Sequence, residues 1–131
     1  MLHRVKKKND VNQDKWIGIG GKFEADETPD ECLLREAKEE TGLTISNPHL
    51  VGIKQFPIEN GRYIVLLFKS ADYCGDLISS DEGKMEWVDV DKLSDVNIVE
   101  DLPELLKVMN DPNLNEFQYT IENGEWNIHT K

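Results

Sequence analysis

The sequence predicts an α/β fold, a mixed β-sheet covered by helices on both sides. Two observations carry this expectation. Short runs rich in β-branched and aromatic residues alternate along the chain with two stretches of helical period. Two Asn-Gly pairs, Asn60-Gly61 and Asn123-Gly124, each stand between apolar runs, which is the pattern of a tight hairpin. The chain has 131 residues without repeats, low-complexity stretches or linkers, so residues 1–131 read as one domain able to bury a core.

Taken in order, residues 2–7 and 15–19 are short strand candidates separated by a polar turn at 9–12. Thr28-Pro29-Asp30-Glu31 is a capping box with proline at the first helical position, so a helix should start at Pro29. Gly42 should stop it. Leu33, Leu34 and Ala37 lie on the side of that helix away from its glutamates and should pack on the sheet. Residues 50–56 and 63–70 should form a hairpin through Asn60-Gly61, and residues 84–90 a further strand. A second helix is expected over 101–109, with Leu102, Leu105, Leu106 and Met109 on one face. Residues 116–121 and 125–129 should form the last hairpin, and Trp16 and Trp87 are expected in the core.

Charge and composition restrict the partners. A formal net charge of −11 leaves no broad basic surface to neutralise a nucleic-acid backbone. The run Lys6-Lys7-Lys8 reads as a solvated strand end, although it could meet a nucleotide phosphate. No apolar run approaches the ~20 residues of a membrane span, and the N-terminus lacks the apolar centre of a signal peptide. Cys32 in the first helix and Cys74 in an expected turn do not form a disulfide framework. His3, His49 and His129 are too scattered for a zinc site. The cytoplasm is the default location.

The chemistry concentrates between Gly21 and Leu43, where eight residues are acidic. Glu36, Glu39 and Glu40 fall at i, i+3 and i+4, so they share a helix face with Cβ atoms ~5–6 Å apart. Like charges so placed cost a few tenths of a kcal/mol per pair, and stability gives no reason for them. A hard divalent cation does: Mg²⁺, or Mn²⁺ in its place, takes oxygen ligands and is shared between carboxylates and substrate phosphates. The glycines of Gly18-Ile19-Gly20-Gly21-Lys22 would let backbone approach a ligand and adopt φ > 0. A solvated acidic helix face is the ordinary alternative for such a charge run.

Residues 21–43 resemble the signature of the Nudix hydrolases, G-x5-E-x7-R-E-U-x-E-E-x-G-U with U a bulky aliphatic residue. Gly21, Glu27, Arg35, Glu36, Glu39, Glu40, Gly42 and Leu43 fill its places, with Ala37 a small residue at the first U. The resemblance implies the family's α/β/α sandwich and Mg²⁺-dependent cleavage of a phosphoanhydride. By the same resemblance, Glu36, Glu39, Glu40 and the Gly20 carbonyl would hold metal. Arg35 would orient a carboxylate, and Glu27 would support the site from the loop. Asp81-Glu82-Gly83 resembles the loop that supplies another metal-binding or base carboxylate in MutT-like members, here Glu82. In the family a strand and turn usually precede the segment matching residues 2–7, whereas here Met1 abuts it. A missing first strand, natural or truncated, would leave an edge open to self-association, so the chain is expected to be a monomer or a homodimer.

The run from Lys15 to Lys22 looks like the W-N-G-x-G-G-K segment of enzymes that sanitise oxidised purine nucleotides. Residues 97–101 resemble their later base-binding segment. This implies substrate contacts from Ile17, Lys22, Ile98, Glu100 and Asp101. Ile17 replaces the base-reading asparagine and Ile98 the stacking tryptophan, while Glu100 and Asp101 keep the acidic pair. Helix capping is an equally natural role for that pair. The expected activity is hydrolysis of a nucleoside triphosphate, with 8-oxo-dGTP as the first substrate to test, to monophosphate and pyrophosphate. The alternatives are a hydrolase of another nucleoside diphosphate derivative, such as a nucleotide sugar or dinucleoside polyphosphate, and a catalytically idle nucleotide-binding regulator.

Overall fold

Strand and helix signals resolve into nine short strands and two α-helices in the computed structural model, which describes residues 1–3, 16–79 and 83–131. The remainder of the expected strand 2–7, the Lys6–Lys8 run, the turn at 9–12, Lys15 and Glu82 lie outside the described residues. So do the side chains of Leu2, His3, Trp16 and Ile17. The chain divides into two compact units: Met1–Asn47 with Ala71–Leu102, and Pro48–Ser70 with Pro103–Lys131.

In the first unit, β1 (Leu2–His3) lies between β2 (Trp16–Ile17) and β7 (Lys84–Met85), antiparallel to both. Helix α1 spans Pro29–Thr41, as its caps require. The Thr28 hydroxyl accepts from the Glu31 amide at 3.2 Å, and Gly42 (φ 80°) donates its N–H to the Lys38 carbonyl at 3.0 Å. A side chain at Gly42 would be strained by that φ and would also meet Ile78 and the Asp76 carbonyl. Strand β3 (Thr44–Ser46) pairs with β6 (Asp72–Cys74), antiparallel.

Several expectations for this unit need correction. The buried side of α1 is Cys32, Ala37, Glu40 and Thr41, whereas Leu34 is exposed. The glutamate face is therefore partly the interior face. Cys74 ends a strand rather than lying in a turn. The strand expected over 84–90 stops at Met85, because a 3₁₀ segment capped by the Asp89 side chain begins at Val90. The strand expected over 15–19 stops at Ile17. Trp87 is not a core residue: it is 63% exposed and its ring packs on Tyr73 with centroids 5.1 Å apart.

The second unit is a mixed four-stranded sheet in the order β5-β4-β8-β9. Strand β4 (His49–Ile58) is antiparallel to β5 (Gly61–Lys69) and parallel to β8 (Glu116–Glu122), and β9 (Glu125–Thr130) closes a hairpin with β8. The second hairpin has the turn that its sequence demands, with φ 53° at Asn123 and 79° at Gly124. The first does not. Ile58 pairs with Gly61, so Glu59 and Asn60 form the turn, and neither Asn60 nor Gly61 takes positive φ. Helix α2 is Leu102–Asn110, with Leu102 and Val108 buried and Leu105, Leu106 and Met109 half-buried. Val108 packs beside Gly52, where a Cβ would lie 3.3 Å from its Cγ1, and Phe117 of β8 is fully buried.

Candidate active site

The loop 18–28 and helix α1 assemble around one guanidinium. Arg35 projects from the middle of α1, and its Nε and Nη2 both donate to the Glu27 carboxylate. Its Nη1 donates to Glu36 at 2.8 Å and to Glu39 at 3.2 Å, and Nη2 also reaches the Lys22 carbonyl at 3.1 Å. Glu24 stands 3.6 Å from Nη1. The loop is thus stitched to the helix by charge-assisted hydrogen bonds, which are stronger than neutral ones. Four carboxylates around one cation leave an excess of negative charge.

Glu27 is also held by the loop itself. The Glu24 amide donates to its Oε2 at 2.8 Å, and its own amide donates to the Glu24 carbonyl at 3.2 Å. That tight turn places Asp26 at φ 68°, which aspartate tolerates better than most residues. The Arg35 hydrogen bond, helped by the backbone bond from Glu24, lowers the Glu27 carboxyl from 4.5 to about 2. The same pairing with Glu27 holds Arg35 even further toward its charged form. Cys32 lies beneath the pair, and burial raises its thiol, so it is an inert packing residue here.

Glu40 faces another way. It is buried at the C-terminal end of α1, and its Oε2 accepts from the Gly20 amide at 3.2 Å. Gly18, Gly20 and Gly21 are exposed, and none of them takes the positive φ expected for this loop. Gly21 is needed for room instead: a Cβ there would fall on the Glu36 carboxylate.

Among the described residues, no three His, Cys, Asp or Glu side chains gather closely enough to hold a metal ion unaided. The reason is visible in the hydrogen bonds, since Glu36 and Glu39 share Arg35 while Glu40 is turned to Gly20. Their chemistry nevertheless suits a hard cation: three carboxylates on one helix beside the exposed backbone of Gly20 and Gly21. Of the residues expected to touch substrate, Lys22 and Glu100 are exposed, while Ile98 and Asp101 are half-buried. Ile17 is known only as backbone in β2, and Glu82 lies outside the described residues. The turn before α2 is closed by the Leu102 amide on the Val99 carbonyl at 3.2 Å. Sequence reasoning missed Glu24. The signal was available in its position three residues before Glu27, across Ala25-Asp26, a turn-favouring step.

A cavity of about 320 Å³ in the second unit is lined by residues including Val51, Met109, Asp111 and Asn115. Its one carboxylate, Asp111, already accepts from the Asn113 amide at 2.8 Å, so nothing there rivals the acids of α1. No described helix is long and apolar enough to cross a membrane.

Known proteins resemble this chain in sequence and in fold. The curated relatives include the uncharacterized Nudix hydrolase YvcI of Bacillus subtilis, 38% identical over 67% of this chain and 56% of that protein. They also include an oxidized purine nucleoside triphosphate hydrolase of Danio rerio, 36% identical over 66% of this chain and 57% of that protein. The chain thus spans little more than half the length of these relatives. The crystal structure of the mutator MutT protein from Bacillus halodurans is similar with a TM-score of 0.76 and 28% identity, covering 98% of this chain and 86% of that one. The NUDIX domain model matches residues 1–109, and with the α/β architecture and the acidic helix already described, the chain belongs to the Nudix family.

Proposed function

We propose that this chain hydrolyses a phosphoanhydride of a nucleoside triphosphate, releasing nucleoside monophosphate and pyrophosphate, with an oxidised purine such as 8-oxo-dGTP as its substrate. The observation that carries the reading is the Arg35 hub, which ties Glu27, Glu36 and Glu39 together beside the Gly20–Glu40 contact. A catalytically idle binder would gain nothing from so many mutually repelling carboxylates. Glu36, Glu39, Glu40 and the Gly20 carbonyl would hold Mg²⁺, with Glu82 as a further carboxylate. Such an ion, when bound, neutralises phosphoryl oxygens and activates a water.

Each residue has a separate task. Arg35 fixes the Glu36 and Glu39 rotamers and is not free to grip substrate, so it is a positioning residue. Glu27 stays ionised to well below neutral pH and anchors Arg35 from the loop. The Gly20 amide aims Glu40 at the loop where phosphate would lie. Gly21 leaves space for the Glu36 carboxylate, and Lys22, exposed on the same loop, offers a cation to a phosphate. Glu100 and Asp101 would meet the base edge, where a carboxylate accepts from ring N–H donors. The purine assignment is supported by the acidic pair and by the Danio rerio relative's own activity.

The deciding experiment is a hydrolysis screen over normal and oxidised nucleoside triphosphates, ADP-ribose, nucleotide sugars and dinucleoside polyphosphates, with products identified. Selective release of pyrophosphate from 8-oxo-dGTP, abolished by EDTA, is the expected result. Preferential cleavage of a nucleoside diphosphate derivative would reject the substrate, and no turnover of any of them would reject the enzyme.

A further inference from the structure

Arg35 has more carboxylates around it than hydrogens to give them. A guanidinium carries five N–H groups in a rigid fork. Nε donates to Glu27 Oε1, and Nη2 donates to Glu27 Oε2 and to the Lys22 carbonyl, both at 3.1 Å. Nη1 donates to Glu36 at 2.8 Å and to Glu39 at 3.2 Å. Those five bonds use all five hydrogens. Glu24 is the acid left over: its Oε1 lies 3.6 Å from the same Nη1, within ion-pair range but too far for a hydrogen bond.

The backbone keeps Glu24 at that place. Its amide donates to Glu27 Oε2 at 2.8 Å and its carbonyl accepts from the Glu27 amide at 3.2 Å, so it is tied to the carboxylate that grips Arg35. Its side chain is nevertheless 67% exposed and free to turn, whereas that of Glu36 is 16% exposed. The Glu27 hydrogen bond is the main hold on the charged form of Arg35, and the Glu24 charge adds to it. An ion pair so exposed contributes little to stability, at most about 1 kcal/mol. Folding alone therefore gives little reason for a carboxylate here.

We infer that Glu24 is a positioning residue of this site, the acceptor that takes over an Nη1 hydrogen of Arg35 when Glu36 or Glu39 turns to a cation. The assignment rests on the hydrolytic reading proposed above. Arg35 and a divalent cation compete for the same carboxylate oxygens. Release of either glutamate would strand a donor on a guanidinium that is only 22% exposed, and an unmatched donor there is costly. Glu24 needs to approach by less than 1 Å to reach the ~2.7–2.9 Å of a charge-assisted bond. Arg35 then keeps its grip on Glu27 and the Lys22 carbonyl, and the loop stays against the helix.

The test uses Mn²⁺, which suits the same oxygen ligands as Mg²⁺, with the free ion counted by electron paramagnetic resonance as it is added to the whole chain. Glu24→Ala should weaken binding roughly tenfold and Glu24→Gln about threefold, because a neutral amide oxygen is the weaker acceptor. Without metal, both variants should melt within about 2 °C of wild type. Pyrophosphate release should fall at limiting Mn²⁺ and recover when the ion is raised. Asp26→Asn removes the same charge two residues away, at a side chain outside the Arg35 hub, and should change affinity by about twofold or less. Wild-type affinity in Glu24→Ala overturns the inference. So does an equal loss in Asp26→Asn, which would reduce the effect to net charge, or a rate loss that excess Mn²⁺ does not restore. A wild-type chain that neither binds Mn²⁺ nor turns over nucleotide rejects the hydrolytic reading and this assignment with it. An active wild type beside a Glu24→Ala of equal affinity rejects this assignment alone.

Discussion

Gly21→Ala should separate activity from stability. Gly21 does not occupy the left-handed region, so alanine can adopt its backbone. The added Cβ would land on the Glu36 carboxylate, the far end of a flexible side chain, which can swing aside. What is lost is the 2.8 Å bond from Arg35, between side chains 22% and 16% exposed. A hydrogen bond to a charged group contributes about 1.5–3 kcal/mol. Partial exposure, and the retention of Glu27, Glu39 and the Lys22 carbonyl by Arg35, reduce that to roughly 1 kcal/mol. Replacing glycine stabilises by about 0.4–1 kcal/mol through the unfolded chain. The net change should therefore stay within about 1 kcal/mol, or roughly 3–5 °C in Tm for a chain of this size. Displacing an assigned cation ligand should meanwhile cost on the order of 10–100-fold in kcat/KM. Raising the Mg²⁺ concentration should recover part of it. The assay is pyrophosphate release from a nucleoside triphosphate across Mg²⁺ concentrations, beside metal-free thermal unfolding. Unchanged kcat/KM at limiting Mg²⁺ would refute the role of Glu36. A fall in Tm several times larger would refute the idea that Glu36 simply moves.

Three further outcomes are expected. Glu40→Gln keeps an acceptor for the Gly20 amide, so folding should change by about 1 kcal/mol or less while turnover falls on the order of 10³-fold. Wild-type-like turnover, or activity indifferent to EDTA, would reject that assignment. The Glu27 carboxyl is depressed to about 2 in the folded state, so its contribution is present above the ordinary value of 4.5 and is lost as pH falls through the folded value. The melting temperatures of wild type and Glu27→Gln should accordingly differ at neutral pH and converge between about pH 4.5 and 2; a constant gap would show that Arg35 does not depend on that charge. Asp101→Asn should raise KM for purine nucleotides more than for pyrimidine ones without altering the metal requirement, and an equal effect on all nucleotides would remove Asp101 from base recognition.

What the sequence determined by itself is what acts within one turn. Thr28, Pro29 and Gly42 specify both ends of α1 because caps satisfy local backbone groups. Asn123 and Gly124 specify the last hairpin because both tolerate positive φ. The spacing of Glu36, Glu39 and Glu40 was legible because it follows from helical period alone, although only Glu36 and Glu39 share a partner and Glu40 turns to the Gly20 amide.

The tertiary structure decided what depends on distant partners. Three-residue strands β3 and β6 carry no readable period and exist through pairing with each other, Thr44 with Cys74. Asn60-Gly61 has the composition of a hairpin turn, but the β4–β5 register shifts the turn by one residue. Helical period alone placed Leu34 inside and the glutamates outside; packing buried Glu40, where the Gly20 amide receives its carboxylate. The Arg35 hub could be anticipated only toward Glu39, one turn away on the same helix. Its bonds to Glu27 and to the Lys22 carbonyl require the loop to fold back over α1, and a contact between separate elements leaves no trace in the periodicity of either.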